Sequence, residues 1–98
     1  METENLITVD QFCSHYNIEF TFIDSLHEFG LVHITEIEQT RYIYLEQVNE
    51  LERMIRLHYD LDINIEGIDA ISHMLRRVDQ LQDELRLVKN RLRLYEAE

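Results

Sequence analysis

Residues 17–32 are Asn-Ile-Glu-Phe-Thr-Phe-Ile-Asp-Ser-Leu-His-Glu-Phe-Gly-Leu-Val, and they carry the main signals of the predicted fold. Asn17 tolerates the left-handed conformation that a tight turn requires. Gly30 suits the left-handed residue that ends a helix. Between them apolar residues recur at every third position, which predicts a helix from about Glu19 to Phe29. Its apolar face is predicted to consist of Phe20, Ile23, Leu26 and Phe29.

A shorter helix is predicted before this turn. Thr8 fits the N-cap position and Gln11 the third helical position of a capping box, with Ile7 packed against Phe12 across the cap. The helix is expected from about Val9 to Tyr16. Two short helices joined by a tight turn form a helix-turn-helix unit. The residues expected to be buried on the first helix are Phe12, Cys13 and Tyr16.

The segment after the second helix changes its period. From Leu31 to Leu45 apolar residues alternate with polar ones, which predicts a two-stranded hairpin, or wing, that turns at Gln39-Thr40. Helix is expected to return after the wing, with Leu45, Val48, Leu51, Ile55 and His58 at helical spacing.

Residues 60–67, Asp-Leu-Asp-Ile-Asn-Ile-Glu-Gly, allow two interpretations. Acids at alternate positions suggest a calcium loop, which needs Gly at its sixth position and Glu at its twelfth. Those positions hold Ile65 and Ile71. We therefore favour a linker in which Asn64 caps the next helix, with Glu66 near the positive helix N-terminus.

The last segment has the most regular pattern in the chain, an apolar residue at alternating steps of three and four. A helix of about 25 residues spans about 38 Å, more than the small N-terminal unit can cover, so we predict a homodimer through a coiled coil. In a parallel pair Glu84 would face Lys89 of the second copy, but such pairs are too weak to fix the direction. Leu75, Leu87 and Leu94 lie off this seam. The predicted dimer interface consists of Ile71, Met74, Val78, Leu81, Leu85, Val88, Leu92 and Tyr95.

The acidic residues are concentrated in the first part of the chain. The formal net charge is −11, and residues 1–40 hold eight acids and no Lys or Arg, a net charge of −8. DNA affinity depends on Lys and Arg contacts with phosphate, so a non-specific nucleic-acid binder is excluded. The same charge would attract a cationic protein surface. The candidate partner-binding residues are Asp10, Glu19, Asp24, Glu28, Glu36 and Glu38.

Other functional classes find little support in the sequence. No apolar run approaches a membrane span, and the N-terminus lacks the features of a signal peptide, so we expect a cytoplasmic protein. Cys13 and His15 lie two positions apart, on different faces of a helix, and Cys13 is the single cysteine. The five histidines share no spacing with a nucleophile, and no Gly-rich phosphate loop exists. We expect no catalysis, no metal and no cofactor.

The organisation resembles that of MerR-type regulators, which combine a helix-turn-helix, a wing and a long dimerising helix. The family pattern G-V-S-x-x-T-I-R-Y-Y-E-x-x-G-L-I aligns with residues 17–32, and the apolar frame is retained. The DNA-contacting residues are not, since Asp24 stands at the family's Arg and His27 replaces its Glu. In the wing, Tyr42 stands where an Arg usually precedes the aromatic Tyr44. The resemblance implies a mainly α fold, with a winged helix-turn-helix domain over residues 1–62 and a dimerisation helix over residues 63–98.

A second resemblance accounts for this departure. The run Ile7-Thr8-x-x-x-Phe12-Cys13-x-His15-x-x-Ile18 and the Gly30-Leu31-Val32 step are similar to the chaperone-modulator (CbpM) family, small acidic proteins on the MerR plan. This resemblance implies a non-enzymatic protein that binds the J-domain of a DnaJ-like co-chaperone and restrains its action on Hsp70. J-domains present a basic helix, which an acidic helix-turn-helix suits. A MerR-type DNA-binding regulator is the alternative, although the negative charge of residues 1–40 opposes DNA binding.

Overall fold

A computed structural model of the chain describes residues 5–96, in which helices surround one small sheet. The fold is mainly α, with a long C-terminal helix. A 3₁₀ turn over Leu45–Gln47 precedes the third helix, and a π-helical turn over Arg56–Asp60 follows it. The elements in chain order are β1 (Leu6–Thr8), α1 (Val9–Tyr16), α2 (Phe20–Glu28), β2 (Ile34–Ile37), β3 (Thr40–Tyr44), α3 (Val48–Ile55) and α4 (Ile65–Glu96).

The local signals of the helix-turn-helix unit are confirmed. The Gln11 backbone N–H donates to Thr8 Oγ1 at 3.0 Å, and the Thr8 N–H donates to Gln11 Oε1 at 3.4 Å, which completes the capping box. Asn17 adopts the left-handed conformation after α1, with φ 57° and ψ 50°. Gly30 follows α2 with φ 74°. These caps fix the lengths of α1 and α2 and the tight turn between them.

The wing is part of a three-stranded antiparallel sheet with the order β1-β3-β2. The predicted hairpin is confirmed, but β1 was not predicted, because three residues before a helix cap carry no pattern of their own. Ile43 in β3 is fully buried and pairs with Ile7 of β1 and Ile34 of β2. The predicted turn at Gln39-Thr40 is wrong by one position. Glu38 and Gln39 form it, with φ 50° and 69°.

The core lies between α1, α2, the sheet, α3 and the first turns of α4. The predicted core face of α2 is correct for Ile23 and Leu26 and wrong for its two ends, since Phe20 is 47% and Phe29 43% exposed. A helix turns by about 100° per residue, so a row with a spacing of three drifts around the axis and leaves the core. The fully or nearly buried apolar residues are Val9, Phe12, Cys13, Phe22, Ile23, Leu26, Val32, Ile43, Leu51, Met54 and Ile68.

Two further predictions need correction at the edges of this unit, the burial of Tyr16 and the helical position of Leu45. Tyr16 is half-buried, because its hydroxyl reaches out to donate to the Glu52 carboxylate. Leu45 is 45% exposed, because it lies in the 3₁₀ turn before α3 rather than on the inner face of the helix. His58 lies in the π-helical turn, where its ring stacks on buried Phe22 with centroids 4.6 Å apart.

The start of α4 is capped as predicted. The Gly67 N–H donates to Asn64 Oδ1 at 2.8 Å, and Ile68 anchors the helix in the core. The helix continues for 32 residues, about 48 Å. In the single chain, Leu87 and Leu94 are 59% and 71% exposed. Every predicted seam residue beyond Ile71 is also 45–81% exposed: Met74, Val78, Leu81, Leu85, Val88, Leu92 and Tyr95.

Candidate partner-binding surface

The outer side of α2 carries one aromatic and two acidic residues in a row. Phe20, Asp24 and Glu28 follow one another at intervals of four, so their side chains lie along one line of the helix. We call these three residues the α2 ridge. The opposite side of α2 packs Phe22, Ile23 and Leu26 into the core, so packing of the helix holds the ridge toward solvent.

Asp24, the central residue of the α2 ridge, forms an ion pair with the wing. Arg41 Nη1 on β3 donates to Asp24 Oδ1 at 2.9 Å, and the two side chains are 39% and 48% exposed. The residues are 17 positions apart in the chain. No sequence pattern predicts this contact, because it depends on how the wing packs beside α2. One of the six candidate acids therefore already has a cation next to it.

Two more candidate acids lie around Arg41. Glu36 on β2 is directly opposite Arg41 in the strand register, which places both side chains on the same face of the sheet. Asp10, in the first turn of α1, lines a shallow cleft together with Arg41. Asp10, Asp24 and Glu36 therefore lie in the neighbourhood of Arg41, and among these four residues the net charge is negative.

The pKa of the Cys13 thiol is affected by the same charged residues, Asp10, Asp24 and Arg41. Burial raises the pKa of the Cys13 thiol above its ordinary value of 9.0. The carboxylates of Asp10 and Asp24 raise that pKa further, while Arg41 lowers it. Cys13 is 4% exposed and packed in the core. The thiol is therefore a buried apolar contact close to the charged group, and it is protonated at neutral pH.

The remaining candidate acids do not join this group. Glu19 lies before α2, where its backbone N–H donates to the Tyr59 hydroxyl at 3.4 Å. Glu38 is exposed in the turn of the wing, and Glu28 is exposed at the last position of α2. Three of the six candidate acids therefore lie near Arg41. Glu28 continues the line of Asp24 along α2, and Glu19 and Glu38 lie apart from both.

Two residues that matter for this surface were missed by the sequence predictions. Arg41 was not expected beside Asp24, and Phe20 was expected in the core. The signal that could have indicated an exposed Phe20 is the spacing of four between Phe20, Asp24 and Glu28. Residues four apart lie on the same side of a helix, and two acids mark that side as the one facing solvent.

Other kinds of site are not found in the part of the chain that the structure describes. Among residues 5–96, no group of three or more His, Cys, Asp or Glu side chains is placed to hold a metal ion. No helix between these residues is long and apolar enough to cross a membrane.

Comparison with known proteins identifies the family. Residues 7–90 match the family model described as MerR HTH family regulatory protein. The chaperone modulatory protein CbpM from Escherichia coli O1:K1 / APEC is 25% identical over 91 residues, which cover 92% of this chain and 90% of the relative. CbpM from Escherichia coli O45:K1 (strain S88 / ExPEC) has the same identity and coverage. No solved structure matches the chain. With its helix-turn-helix unit, wing and long C-terminal helix, the chain belongs to the MerR HTH family of regulatory proteins.

Proposed function

We propose that this protein is a cytoplasmic, non-enzymatic chaperone modulator that binds the J-domain of a DnaJ-like co-chaperone and restrains its action on Hsp70. The observation that carries the proposal is the acidic outer side of α2, where Asp24 and Glu28 occupy the helix that contacts DNA in MerR-type regulators. Relatives named chaperone modulatory protein, which align with most of the chain, also support a role as a chaperone modulator.

The proposed mechanism is competition for a basic surface. The α2 ridge and the neighbouring carboxylates of Asp10 and Glu36 present negative charge around Arg41. A basic helix of a J-domain would be attracted to this charge, which raises the rate of encounter and selects the partner. While that helix is covered, it is unavailable to Hsp70. The proposal requires no covalent step.

We further propose that the protein acts as a homodimer through an α4 coiled coil. The heptad residues of α4 are at least 45% exposed beyond Ile71 in the single chain, and a second copy would cover them with an identical seam. This assignment divides the chain into a winged helix-turn-helix domain, residues 1–62, and a dimerisation helix, residues 63–98. Sedimentation at micromolar concentration tests it, and a single-chain mass would reject it.

The test of partner binding is a titration of the purified protein with the J-domain of its host's DnaJ-like co-chaperone, at low and high salt. We expect binding at low salt that weakens as salt screens the charges. The double change Asp24→Arg with Glu28→Lys should abolish most of this binding. The matched control is Glu46→Arg with Glu50→Lys, the same charge reversal at the same spacing near α3. Absence of binding at low salt would reject the proposal.

A second candidate function is DNA-binding transcriptional regulation, which the match to a family of regulatory proteins favours. The helix-turn-helix and wing have the required architecture. The net charge of −8 over residues 1–40 opposes DNA binding, and the Arg41 guanidinium beside α2 is already paired with Asp24. A gel shift with the DNA upstream of the protein's own gene distinguishes the two, since a specific shift would support DNA binding.

A further inference from the structure

The exposure of Phe20 is the starting observation. Phe20 opens α2 with 47% of its surface exposed, although the spacing of apolar residues predicted it in the core. A single exposed aromatic residue is ordinary on a protein surface, so its neighbours decide its meaning. Here the ring begins the same ridge that continues with Asp24 and Glu28.

We infer that Phe20 is the apolar anchor of the α2 ridge, and that the ridge binds an amphipathic helix which carries cations beside an exposed apolar residue. This inference rests on the proposed function and specifies the chemistry that the ridge recognises in the J-domain. Charge complementarity selects the occupant, because two ridge acids and the nearby Asp10 and Glu36 favour a cationic helix over a neutral or acidic one.

The spacing of the ridge fits a helix as its partner. Residues four apart on a helix have Cβ atoms about 5–6 Å apart. A second helix repeats its own side chains at the same interval, so cations on successive turns can reach Asp24 and Glu28 in register. An apolar residue one turn further along would then face Phe20. A basic loop without this repeat would not satisfy the three positions together.

The anchor is expected to supply affinity that the acids do not. Exposed ion pairs contribute little net free energy and are screened by salt. Phe20 still exposes roughly 90 Å² of apolar surface, taking a Phe side chain at about 150–250 Å². Complete burial of that area at about 25 cal/mol per Å² corresponds to a gain in affinity of at most roughly fortyfold to fiftyfold, and partial burial to less. Aromatic residues near the centre of an interface are frequent hot spots.

Calorimetric titration of the same J-domain with Phe20 variants tests the inference at about 0.05 M and about 0.5 M NaCl. Phe20→Ala should weaken binding by about tenfold or more at both salt concentrations, because burial of apolar surface is not screened. Asp24→Asn should weaken binding at low salt and have a smaller effect at high salt. The matched control is Phe29→Ala, a change of the same residue type at similar exposure, 43%. Phe29 lies about two and a half turns further on, on the opposite side of α2.

A pair of substitutions of similar volume separates binding from folding. Phe20→Leu should retain most of the affinity and Phe20→Gln should lose it, while thermal unfolding reports whether both variants are folded. Wild-type binding together with a Phe20→Gln affinity within about twofold of that of Phe20→Leu would overturn the inference and leave the proposed function intact. No wild-type binding would reject the proposed function and the inference together, and the wild-type titration alone reveals this.

Discussion

Replacement of Arg41 by Gln tests whether the α2 ridge binds a cation through Asp24. The Arg41 guanidinium donates to Asp24 at 2.9 Å, and both side chains are between a third and a half exposed. Such a pair contributes at most about 1 kcal/mol to stability, so the variant should fold. Arg41 is also the first Lys or Arg in the chain. Its removal takes away a positive charge next to the carboxylates of Asp10, Asp24 and Glu36.

The size of the effect follows from distances. A partner cation bound to Asp24 from the solvent side would lie about 6 Å from the guanidinium, and two unit charges at that distance repel by about 0.7 kcal/mol in water. With half the dielectric screening of water, the repulsion is about 1.4 kcal/mol. Arg41→Gln should therefore raise the affinity for the J-domain by about threefold to tenfold at low salt. At high salt the gain should shrink.

The assay is calorimetric titration with the J-domain, with Arg86→Gln as the matched control. Arg86 donates to Asp83 at 3.0 Å on the exposed side of α4, so this variant loses the same charge and the same kind of ion pair elsewhere. We expect its affinity to equal that of the wild type. Equal gains in both variants would show that net charge alone acts. Weaker binding of Arg41→Gln would contradict this prediction and show that Arg41 supports the interface.

Four further predictions concern stability and assembly. Gly30→Ala should lower the free energy of unfolding by about 1 kcal/mol, because φ is 74° while an added Cβ would contact no atom within 4 Å; an unchanged unfolding temperature would contradict this. Gln39→Gly should raise the unfolding temperature, because Gln39 has φ 69° in a two-residue hairpin turn; a decrease would show that the side chain contributes. Leu85→Glu should sediment with the mass of one chain, while Leu87→Glu, which lies off the seam, should remain a dimer. A dimeric Leu85→Glu together with a monomeric Leu87→Glu would place the interface on a different face of α4. The raised pKa of Cys13 means that the folded state binds the thiol proton more tightly than the unfolded state does. The free energy of unfolding should therefore be unaffected by this group below about pH 9 and should fall above it. Urea titrations at about pH 8 and pH 10 should show a smaller fall for Cys13→Ala than for the wild type, and an equal fall would contradict this.

Features set by a few adjacent residues could be predicted from the sequence. The capping box of Thr8 and Gln11, the left-handed Asn17 and Gly30, and the Asn64 cap of α4 are all found where the sequence placed them. Each depends on the hydrogen-bonding capacity or backbone freedom of one side chain relative to its neighbours. These signals therefore determined the lengths and order of the helices, and through them the helix-turn-helix architecture.

Features set by contacts between distant segments could not be predicted in the same way. β1 is a strand because its backbone pairs with β3, which lies more than thirty residues later in the chain. The exposure of Phe20 depends on which side of α2 the core occupies. The predicted row shares Ile23 and Leu26 with the buried face, but packing buries Phe22 in place of Phe20. The predicted row of spacing three was chosen without knowledge of this packing.

The Arg41–Asp24 pair changes how the acidity of the chain bears on function. From the sequence, the −8 charge of residues 1–40 opposed DNA binding as a general repulsion. In the structure, Asp24 also binds Arg41, the cation that the wing places beside α2. A phosphate approaching this guanidinium would also meet the Asp24 carboxylate beside it, whereas a cation can approach Asp24, Glu28 and Glu36 without breaking the pair. The same contact therefore places a carboxylate beside Arg41 of the wing, which lowers the attraction of that residue for an anion and agrees with the proposed cationic partner.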